Sequence, residues 1–221
     1  NNLSIKQIFA AIYADLDIVR EPMSGGRQMV GHFVTKSNIN NEFVDLINQK
    51  NHAADVSPTA SQMPKLLGLA QASRIYRNLS TKNSSKFSNN GNEIAWGTIG
   101  NASTSEGVFF EAINAAGVLQ IPMVMSVWDD DYGISVHNKD QTTKESISEA
   151  LKGFQKSDSQ PGLEIIKVKG WDYTGLIDAY NFASKLARKN HIPVLVHVTE
   201  LTQPLGHSSS CLLYTSPSPR D

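Results

Sequence analysis

The sequence predicts an α/β protein with a doubly wound, mostly parallel sheet that carries helices on both faces. Two observations predict this fold. From residue 93 onward, short apolar runs alternate with longer helix-favouring segments. The apolar runs also lack the polar alternation of half-exposed strands, and strands of that kind are buried on both faces. We therefore expect residues 1–207 to form one domain.

The part of the chain before this alternating pattern is predicted to hold two helices and a long loop. Apolar residues recur at helical spacing in residues 3–16, and residues 63–76 are apolar and helix-favouring. Residues 21–26 are turn-rich. Residues 35–60 are polar and irregular. Connections of this length are uncommon in compact domains unless they have a function, so we predict a functional loop.

Four strands and three helices are predicted in the alternating region. The strands are residues 94–99, 122–128, 163–168 and 193–199. The helices are residues 106–119, 142–154 and 173–189. Ser103 and Glu106 have capping-box spacing before the first of these helices, and Thr142 and Glu145 have it before the second.

Composition excludes several classes of partner. Apolar residues make up 40% of the chain and charged residues 19%, which is typical of a globular protein. The formal net charge of -1 gives no electrostatic footprint for nucleic acid or an anionic membrane, so we expect neither partner. No apolar run approaches the roughly 20 residues of a membrane helix. The single cysteine, Cys211, indicates a reducing compartment, and we expect a cytoplasmic protein.

Both ends of the chain are unusual. It begins with Asn1 and has no initiator Met, so we expect the domain to be truncated at its N-terminus. Residues 208–221 form a tail rich in Ser and Pro, which is compatible with an ordinary flexible terminus. Residues 211–221 resemble a translated sequencing adapter, however, and we interpret them as non-native and without functional weight.

Polar residues follow two neighbouring strands at the edge where ligands bind in doubly wound folds. Residues 100–107 pass from a strand end into a helix start, whose free N–H groups and positive dipole end favour a phosphate. Residues 128–133 follow the next strand. Asn101, Asp130 and a main-chain carbonyl are therefore candidate oxygen ligands for a hard divalent cation.

This pattern resembles the signature of thiamine-diphosphate enzymes, in which Gly-Asp-Gly ends one strand and an Asn follows the next. More specifically, the chain resembles the alpha chain of the decarboxylating component of 2-oxo acid dehydrogenases of the branched-chain type, whose fold is the thiamine-diphosphate-binding fold. The matching stretches are in order and in register along nearly the whole chain. They are residues 26–29, 57–64, 105–107, 111–114, 132–135 and 206–208.

The resemblance implies a site for thiamine diphosphate and Mg²⁺. Asn101, Asp130 and the main-chain carbonyl of Tyr132 are implied to bind Mg²⁺, which bridges the diphosphate. Further cofactor-binding residues are implied to be Ser57, Thr59, Gly100, Ala102, Ser103 and His207. Ser61 and Gln62 are implied to order the Ser57 loop through a monovalent cation, K⁺. His207 is also implied to be catalytic, because it would lie near the thiazolium and the substrate.

Three positions depart from the family pattern. Asn101 stands where the family has Asp, and Asp130 stands where it has Asn. Each change alone would alter the charge around the metal, whereas together they leave one amide and one carboxylate, so we interpret them as a compensating swap. Trp128 stands where relatives often have an Arg against the diphosphate, and its loss removes charge-assisted hydrogen bonds.

The implied activity is the oxidative decarboxylation of a 2-oxo acid, with transfer of the acyl group to a lipoyl-bearing acyltransferase core. A beta subunit, or a fused beta half, is implied to complete the site in a homo- or hetero-oligomer. We therefore expect this chain to be inactive alone. Two alternatives stay open. One is a pyruvate- or acetoin-type or transketolase-like thiamine-diphosphate enzyme, and the other is a non-catalytic assembly subunit that kept the fold.

Overall fold

The computed structural model describes residues 3–27, 34–54, 56–79 and 84–202. The chain divides into two compact units. The first unit comprises Asn1–Ser57 and Ser85–Phe87, and the second comprises Pro58–Ser84 and Ser88–Asp221. The boundaries of a single domain over residues 1–207 stay a prediction, and the tail of residues 208–221 lies outside the described residues.

The described residues of the first unit include a helix near the start of the chain and a small hairpin. Helix α1, Ile5–Ile12, begins with a capping box in which the Ser4 side chain accepts from the main-chain N–H of Gln7. It is shorter than predicted, because Ala14 has a φ of 53° and cannot continue a right-handed helix. Strands β1, Asn38–Ile39, and β2, Glu42–Phe43, pair antiparallel within the predicted loop.

A buried carboxylate organises the turn that follows α1. Both oxygens of Glu21 accept hydrogen bonds from the turn itself: Met23 N at 2.8 Å, Ser24 N and Oγ at 2.8 Å each, and Gly26 N at 3.0 Å. The bond from Gly26, ahead of the others, lowers the pKa of Glu21 to about 2 despite its burial. Gly26 has a φ of 75°, and a Cβ there would lie 2.7 Å from the Ala14 carbonyl oxygen. The turn therefore requires glycine at this position.

Most of the remaining elements build a parallel sheet with its helices, and one short helix, Ser84–Phe87, lies largely in the first unit. The helices are α2 Gln62–Tyr76, α3 Ser84–Phe87, α4 Gly107–Leu119, α5 Ile147–Ala150 and α6 Tyr173–Asn190. The strands are β3 Ala95–Gly100, β4 Met123–Trp128, β5 Tyr132–Gly133, β6 Val136–His137, β7 Glu164–Lys169 and β8 Val194–Thr199. The main sheet has the order β3-β4-β8-β7 with every pair parallel, and β5 and β6 form a separate antiparallel hairpin. Among the described residues, none of these helices is long and apolar enough to cross a membrane.

The core lies on both faces of the main sheet, which confirms the predicted fold class. On one face, α2, α4 and α5 pack against the sheet through buried residues such as Leu66, Phe109 and Ile147. On the other face, α6 packs through small residues, including Ala183 and Ala187. Burial of each large apolar side chain stabilises the fold by roughly 1.5–3 kcal/mol. The inner strands β4 and β8 are buried on both faces, as predicted, whereas the edge strands β3 and β7 are partly exposed.

Two local predictions are wrong. Ser103 and Glu106 do not form a capping box: residues Ala102–Ser105 form a 3₁₀ turn, and Glu106 precedes α4 without a side-chain cap. Residues 142–154 are not one helix but three short pieces. The break occurs because Lys144 and Glu145 have φ values of 63° and 55°, which end a right-handed helix.

Candidate active site

Two strand tips meet at the carboxyl edge of the main sheet. Gly100 at the end of β3 lies in register with Trp128 at the end of β4. The main-chain N–H of Asn101 donates to the Trp128 carbonyl at 3.0 Å, so the pairing continues one residue beyond β3. The turns that carry Asn101 and Asp130 therefore start from directly adjacent strands.

Asn101 is buried and its side-chain amide is only partly satisfied. The residue is 4% exposed, and its Nδ2 has no hydrogen-bond partner among the described residues. Its main-chain carbonyl accepts from Thr104 Oγ1 at 2.5 Å, which anchors the 3₁₀ turn. An unpaired buried donor costs about 1–3 kcal/mol. The oxygen and nitrogen of an Asn amide exchange places by a flip, and a flip here would place an oxygen at the unsatisfied position. Asn101 therefore fits the role of a cation ligand.

The segment that follows the second turn contacts the first turn. Asp130 Oδ1 accepts from the main-chain N–H of Tyr132 at 3.3 Å. A Cβ on Gly133 would lie 2.6 Å from the Ala102 Cβ, so the hairpin contacts the 3₁₀ turn. Gln141 Nε2 donates to the Ala102 carbonyl at 3.2 Å, whereas its buried Oε1 has no partner among the described residues. The segment after Asp130 thus contacts the turn that carries Asn101, and each side of this contact has a buried polar atom without a partner among the described residues.

Trp128 does not replace the cation that the family pattern has at this position. Its indole N–H donates to Ser126 Oγ at 3.0 Å, and Ser126 Oγ in turn lies 2.7 Å from the Tyr180 hydroxyl. The indole is 52% exposed and lies on the sheet face that α6 covers. Because its only polar group is used within the sheet, Trp128 contributes no donor to a phosphate.

A buried hydrogen-bond network lies beneath the second turn. His197, on β8, is 1% exposed, and its Nε2 lies 2.8 Å from Asp129 Oδ2. The other ring nitrogen, Nδ1, lies 2.9 Å from Ser148 Oγ at the start of α5. Asn138 Nδ2 donates to Asp129 Oδ2 at 3.2 Å. Asp129 therefore joins β4, β8 and the segment after the hairpin.

The network keeps Asp129 ionised. Burial raises the pKa of Asp129, but the hydrogen bonds from His197, the main-chain N–H of Asp131 and the amide of Asn138 together lower it below its usual value. The carboxylate is thus the ionised acceptor of its neighbours rather than a protonated donor.

This network was not among the features predicted from the sequence. The available signal was a polar side chain inside the continuous apolar run of residues 193–199. A buried polar side chain nearly always has a partner, so the run itself indicated a companion elsewhere in the chain. The partner could not be identified, because Asp129 is distant in sequence.

The residues predicted around the N-terminus of α2 have varied surroundings. Gln62 is the first residue of α2, and its Nε2 donates to the Thr98 carbonyl on β3 at 3.1 Å. Ser61 is half-buried and precedes that helix, with its main-chain N–H on the Pro58 carbonyl at 3.1 Å. Thr59 is exposed. The K⁺ site of Ser61 and Gln62 stays a prediction.

Several other predicted positions stay predictions as well. Gly100 is exposed, and a Cβ there would meet nothing within 4 Å. Ser103 is half-buried within the 3₁₀ turn. Ser57 is exposed and belongs to the first unit. His207, the predicted catalytic residue, lies outside the described residues, as do residues 28–29 of the family-like stretch.

No cluster of three or more His, Cys, Asp or Glu side chains suited to a metal ion exists among residues 3–27, 34–54, 56–79 and 84–202. The predicted Mg²⁺ ligands are one amide, one carboxylate and one main-chain carbonyl, so they contain only one such side chain. Mg²⁺ commonly takes few protein ligands, and water and substrate phosphates complete its shell. The residues present therefore remain chemically suited to Mg²⁺.

Comparison with known proteins identifies related sequences over almost the whole chain. The family model described as "Dehydrogenase E1 component" matches residues 1–210. The chain is 28% identical over 176 residues to the 2-oxoisovalerate dehydrogenase subunit alpha of Bacillus subtilis (strain 168), covering 80% of this chain and 44% of that protein. It is 27% identical over 158 residues to the pyruvate dehydrogenase E1 component subunit alpha of Acholeplasma laidlawii, covering 70% of this chain and 39% of that protein. The chain thus spans less than half the length of these relatives.

The fold is also similar to a solved structure. A crystal structure of transketolase from Pichia stipitis superposes with a TM-score of 0.51 at 23% identity, covering 64% of this chain and 19% of that one. At this identity the similarity supports the α/β fold alone.

Proposed function

The chain belongs to the dehydrogenase E1 component family, and from this premise we propose that it is the alpha part of a thiamine-diphosphate-dependent 2-oxo acid dehydrogenase. The proposed reaction is oxidative decarboxylation of a 2-oxo acid, with the acyl group passed to a lipoyl group on an acyltransferase core. A branched-chain 2-oxo acid is the favoured substrate, because the Bacillus subtilis relative is named for 2-oxoisovalerate. Pyruvate is the second candidate, because the Acholeplasma laidlawii relative is named for it.

The observation that carries the proposal is the buried amide of Asn101 beside the Asp130 turn. Its unsatisfied atom is at the carboxyl edge of a parallel sheet, where ligands bind in open α/β folds. Asn101, Asp130 and the Tyr132 carbonyl would hold Mg²⁺ there, and Ala102 and Ser103 would face the diphosphate. Thiamine diphosphate, when bound, supplies the electron sink for loss of CO₂. The chain's own contribution is to bind and orient that cofactor.

A beta subunit or fused beta half completes the site in this proposal, and its absence would leave the chain inactive. Cytoplasmic location stays a prediction from the single cysteine. Mg²⁺ is proposed on ligand chemistry: an amide oxygen and a carboxylate are hard donors of the kind it prefers. The Asn101–Asp130 pair keeps one formal negative charge at the metal, consistent with a compensating swap.

Calorimetric titration with thiamine diphosphate and Mg²⁺ tests the proposal, using the full-length protein co-expressed with its beta subunit. We expect saturable cofactor binding that requires Mg²⁺. The Asn101→Leu variant, which keeps the volume and removes the oxygen, should weaken Mg²⁺ binding by more than about tenfold, because a ligand is lost. The Asn101→Asp variant should instead bind Mg²⁺ more tightly, because it adds a carboxylate at the metal.

The matched control is Asn114→Asp, which adds the same charge at an exposed position on α4. It should leave Mg²⁺ affinity unchanged, because solvent and salt screen an exposed charge. If Asn101→Leu and Asn101→Asp both bind Mg²⁺ as the unaltered protein does, Asn101 is no ligand and the compensating swap is rejected. If the unaltered assembly binds no cofactor, the chain is a non-catalytic assembly subunit.

A further inference from the structure

We propose that His197 is a positioning residue that fixes the Asp130 turn for Mg²⁺, an inference that rests on the function proposed above. The two ring nitrogens of His197 bind Ser148 and Asp129 rather than a predicted metal ligand. His197 acts through Asp129, the residue before Asp130. The family-like stretches of the sequence do not include His197, and its role follows from its contacts alone.

The hydrogen-bond pattern of His197 is complete in its neutral form. A neutral imidazole has one donor and one acceptor nitrogen. With the proton on Nε2, His197 donates to Asp129 Oδ2 at 2.8 Å. Nδ1 then accepts from the hydroxyl of Ser148 at 2.9 Å. Both ring nitrogens are thus satisfied at a site that is 1% exposed, which fixes the ring orientation.

Asp129 transmits this constraint to both sides of Asp130. Its main-chain N–H donates to the Val198 carbonyl at 2.8 Å, and its carbonyl accepts from Leu201 N at 3.2 Å. Its carboxylate oxygen Oδ1 accepts from Asp131 N at 2.9 Å. Asp130 therefore lies between a residue tied to β8 and a residue tied to the same carboxylate. Its main chain cannot shift without breaking one of these bonds.

This constraint matters because Mg²⁺ tolerates little displacement of its ligands. The ion requires near-octahedral geometry with oxygen distances of about 2.0–2.1 Å. Partners that orient a ligand without touching the metal typically change metal affinity by about 10–100-fold when removed. His197 acts through one more residue, since it orients Asp129, and Asp129 in turn holds the main chain on both sides of the predicted ligand Asp130.

The order Ser148, His197, Asp129 also resembles a nucleophilic triad, but burial argues against that role. Ser148 is 5% exposed, and its hydroxyl lies 3.1 Å from Ser146 Oγ. A nucleophile must reach its substrate, and this hydroxyl is enclosed. The network is therefore suited to holding a turn rather than to attacking a carbonyl.

The test compares three variants of the full-length protein assembled with its beta subunit. His197→Leu keeps the volume and removes the donor, and His197→Gln restores a donor to Asp129. Val196→Ala is the control: it removes buried volume from the same strand on the opposite face of the sheet. The readouts are the Mg²⁺ dissociation constant in the presence of thiamine diphosphate, by calorimetry, and the thermal unfolding midpoint.

We expect His197→Leu to weaken Mg²⁺ binding by about 10–100-fold and His197→Gln to recover most of that loss. Val196→Ala should lower the unfolding midpoint while leaving Mg²⁺ affinity within about threefold of the unaltered protein, since it touches no partner of a ligand. The inference is overturned if His197→Leu binds Mg²⁺ normally, or if Val196→Ala weakens Mg²⁺ binding as much. Both of these results leave cofactor binding by the unaltered protein intact. Absence of cofactor binding by the unaltered assembly instead rejects the proposed function, and this inference with it.

Discussion

Glu21 and Asp129 are both buried carboxylates that organise a turn, yet they recruit different partners. Among the described residues, the hydrogen bonds to the Glu21 carboxylate come from its own turn, within five residues of Glu21 in the chain. Asp129 accepts from Asp131 nearby but also from Asn138 and from His197 on another strand. The Glu21 turn is therefore held by hydrogen bonds from its own residues. The Asp129 turn is also held by hydrogen bonds from residues elsewhere in the second unit.

This difference indicates which kind of turn can position the side chains of a binding site. A turn held by its own residues keeps its shape whatever surrounds it. It therefore stabilises the connection between two elements, but it does not fix its side chains relative to the sheet. A turn held by residues from other strands takes its shape from the sheet, and so places its side chains relative to that sheet. The candidate metal ligand Asp130 belongs to the second kind. Catalytic groups generally require such support from rigid elements.

The largest effect is expected from Asp129→Ala. The substitution leaves His197 Nε2, Asn138 Nδ2 and the main-chain N–H of Asp131 without their acceptor in a buried region. A buried donor left without an acceptor costs about 1–3 kcal/mol, and with several donors affected we expect a loss of about 3 kcal/mol in the free energy of unfolding. Urea denaturation of the full-length protein at neutral pH measures it.

The control for this prediction is Asp131→Asn, in the same turn. Asp131 is exposed and has a φ of 68°, which Asn tolerates. It should change the free energy of unfolding by less than about 0.5 kcal/mol, the usual range for surface substitutions. Equal losses from the two variants would mean that the Asp129 network adds nothing beyond the turn itself.

A smaller, pH-dependent effect is expected from Glu21→Gln. The amide of the new glutamine can orient its oxygen toward Ser24 and Gly26. The variant therefore loses chiefly the hydrogen bond from Met23 and the negative charge. The pKa of Glu21 is lowered from 4.5 to about 2, so its contribution to stability is complete above about pH 4.5 and is lost as the pH falls toward 2. Unfolding midpoints in urea should therefore differ at pH 7 and converge near pH 2.

Glu42→Gln provides the comparison, because Glu42 is exposed in the same unit. Its unfolding midpoint should follow that of the unaltered protein at every pH. A constant difference between Glu21→Gln and the unaltered protein from pH 7 down to pH 2 would contradict the lowered pKa, and with it the view that the turn binds an ionised carboxylate.

The same contrast between local and distant partners explains how far the sequence could predict the structure. The apolar runs and helical segments predicted the parallel sheet, because the two inner strands, β4 and β8, are nearly continuous apolar runs that are buried on both faces. The adjacency of the Asn101 and Asp130 turns followed from the parallel order. The pairing of Asp129 with His197 could not be predicted, because nothing in either residue's neighbourhood specifies the other. Residues 142–154 were misassigned because Lys144 and Glu145 adopt left-handed conformations that their residue types do not favour.

The smallest effect, and one of opposite sign, is expected at Ile134. In the Glu21 turn the left-handed positions are glycines, whereas the hairpin beside Asp130 places Ile134 at a φ of 60°. It is the first of two residues joining β5 to β6, and a type II′ turn prefers glycine there. Relief of about 1–2 kcal/mol of left-handed strain should exceed the roughly 0.5–1 kcal/mol entropic cost of glycine. Ile134→Gly should therefore stabilise the protein by about 0.5 kcal/mol in urea denaturation, while Ser135→Gly, which incurs only the entropic cost, should destabilise it. If both variants destabilise the protein equally, the hairpin stores no strain, and the two turns differ only in their hydrogen-bond partners.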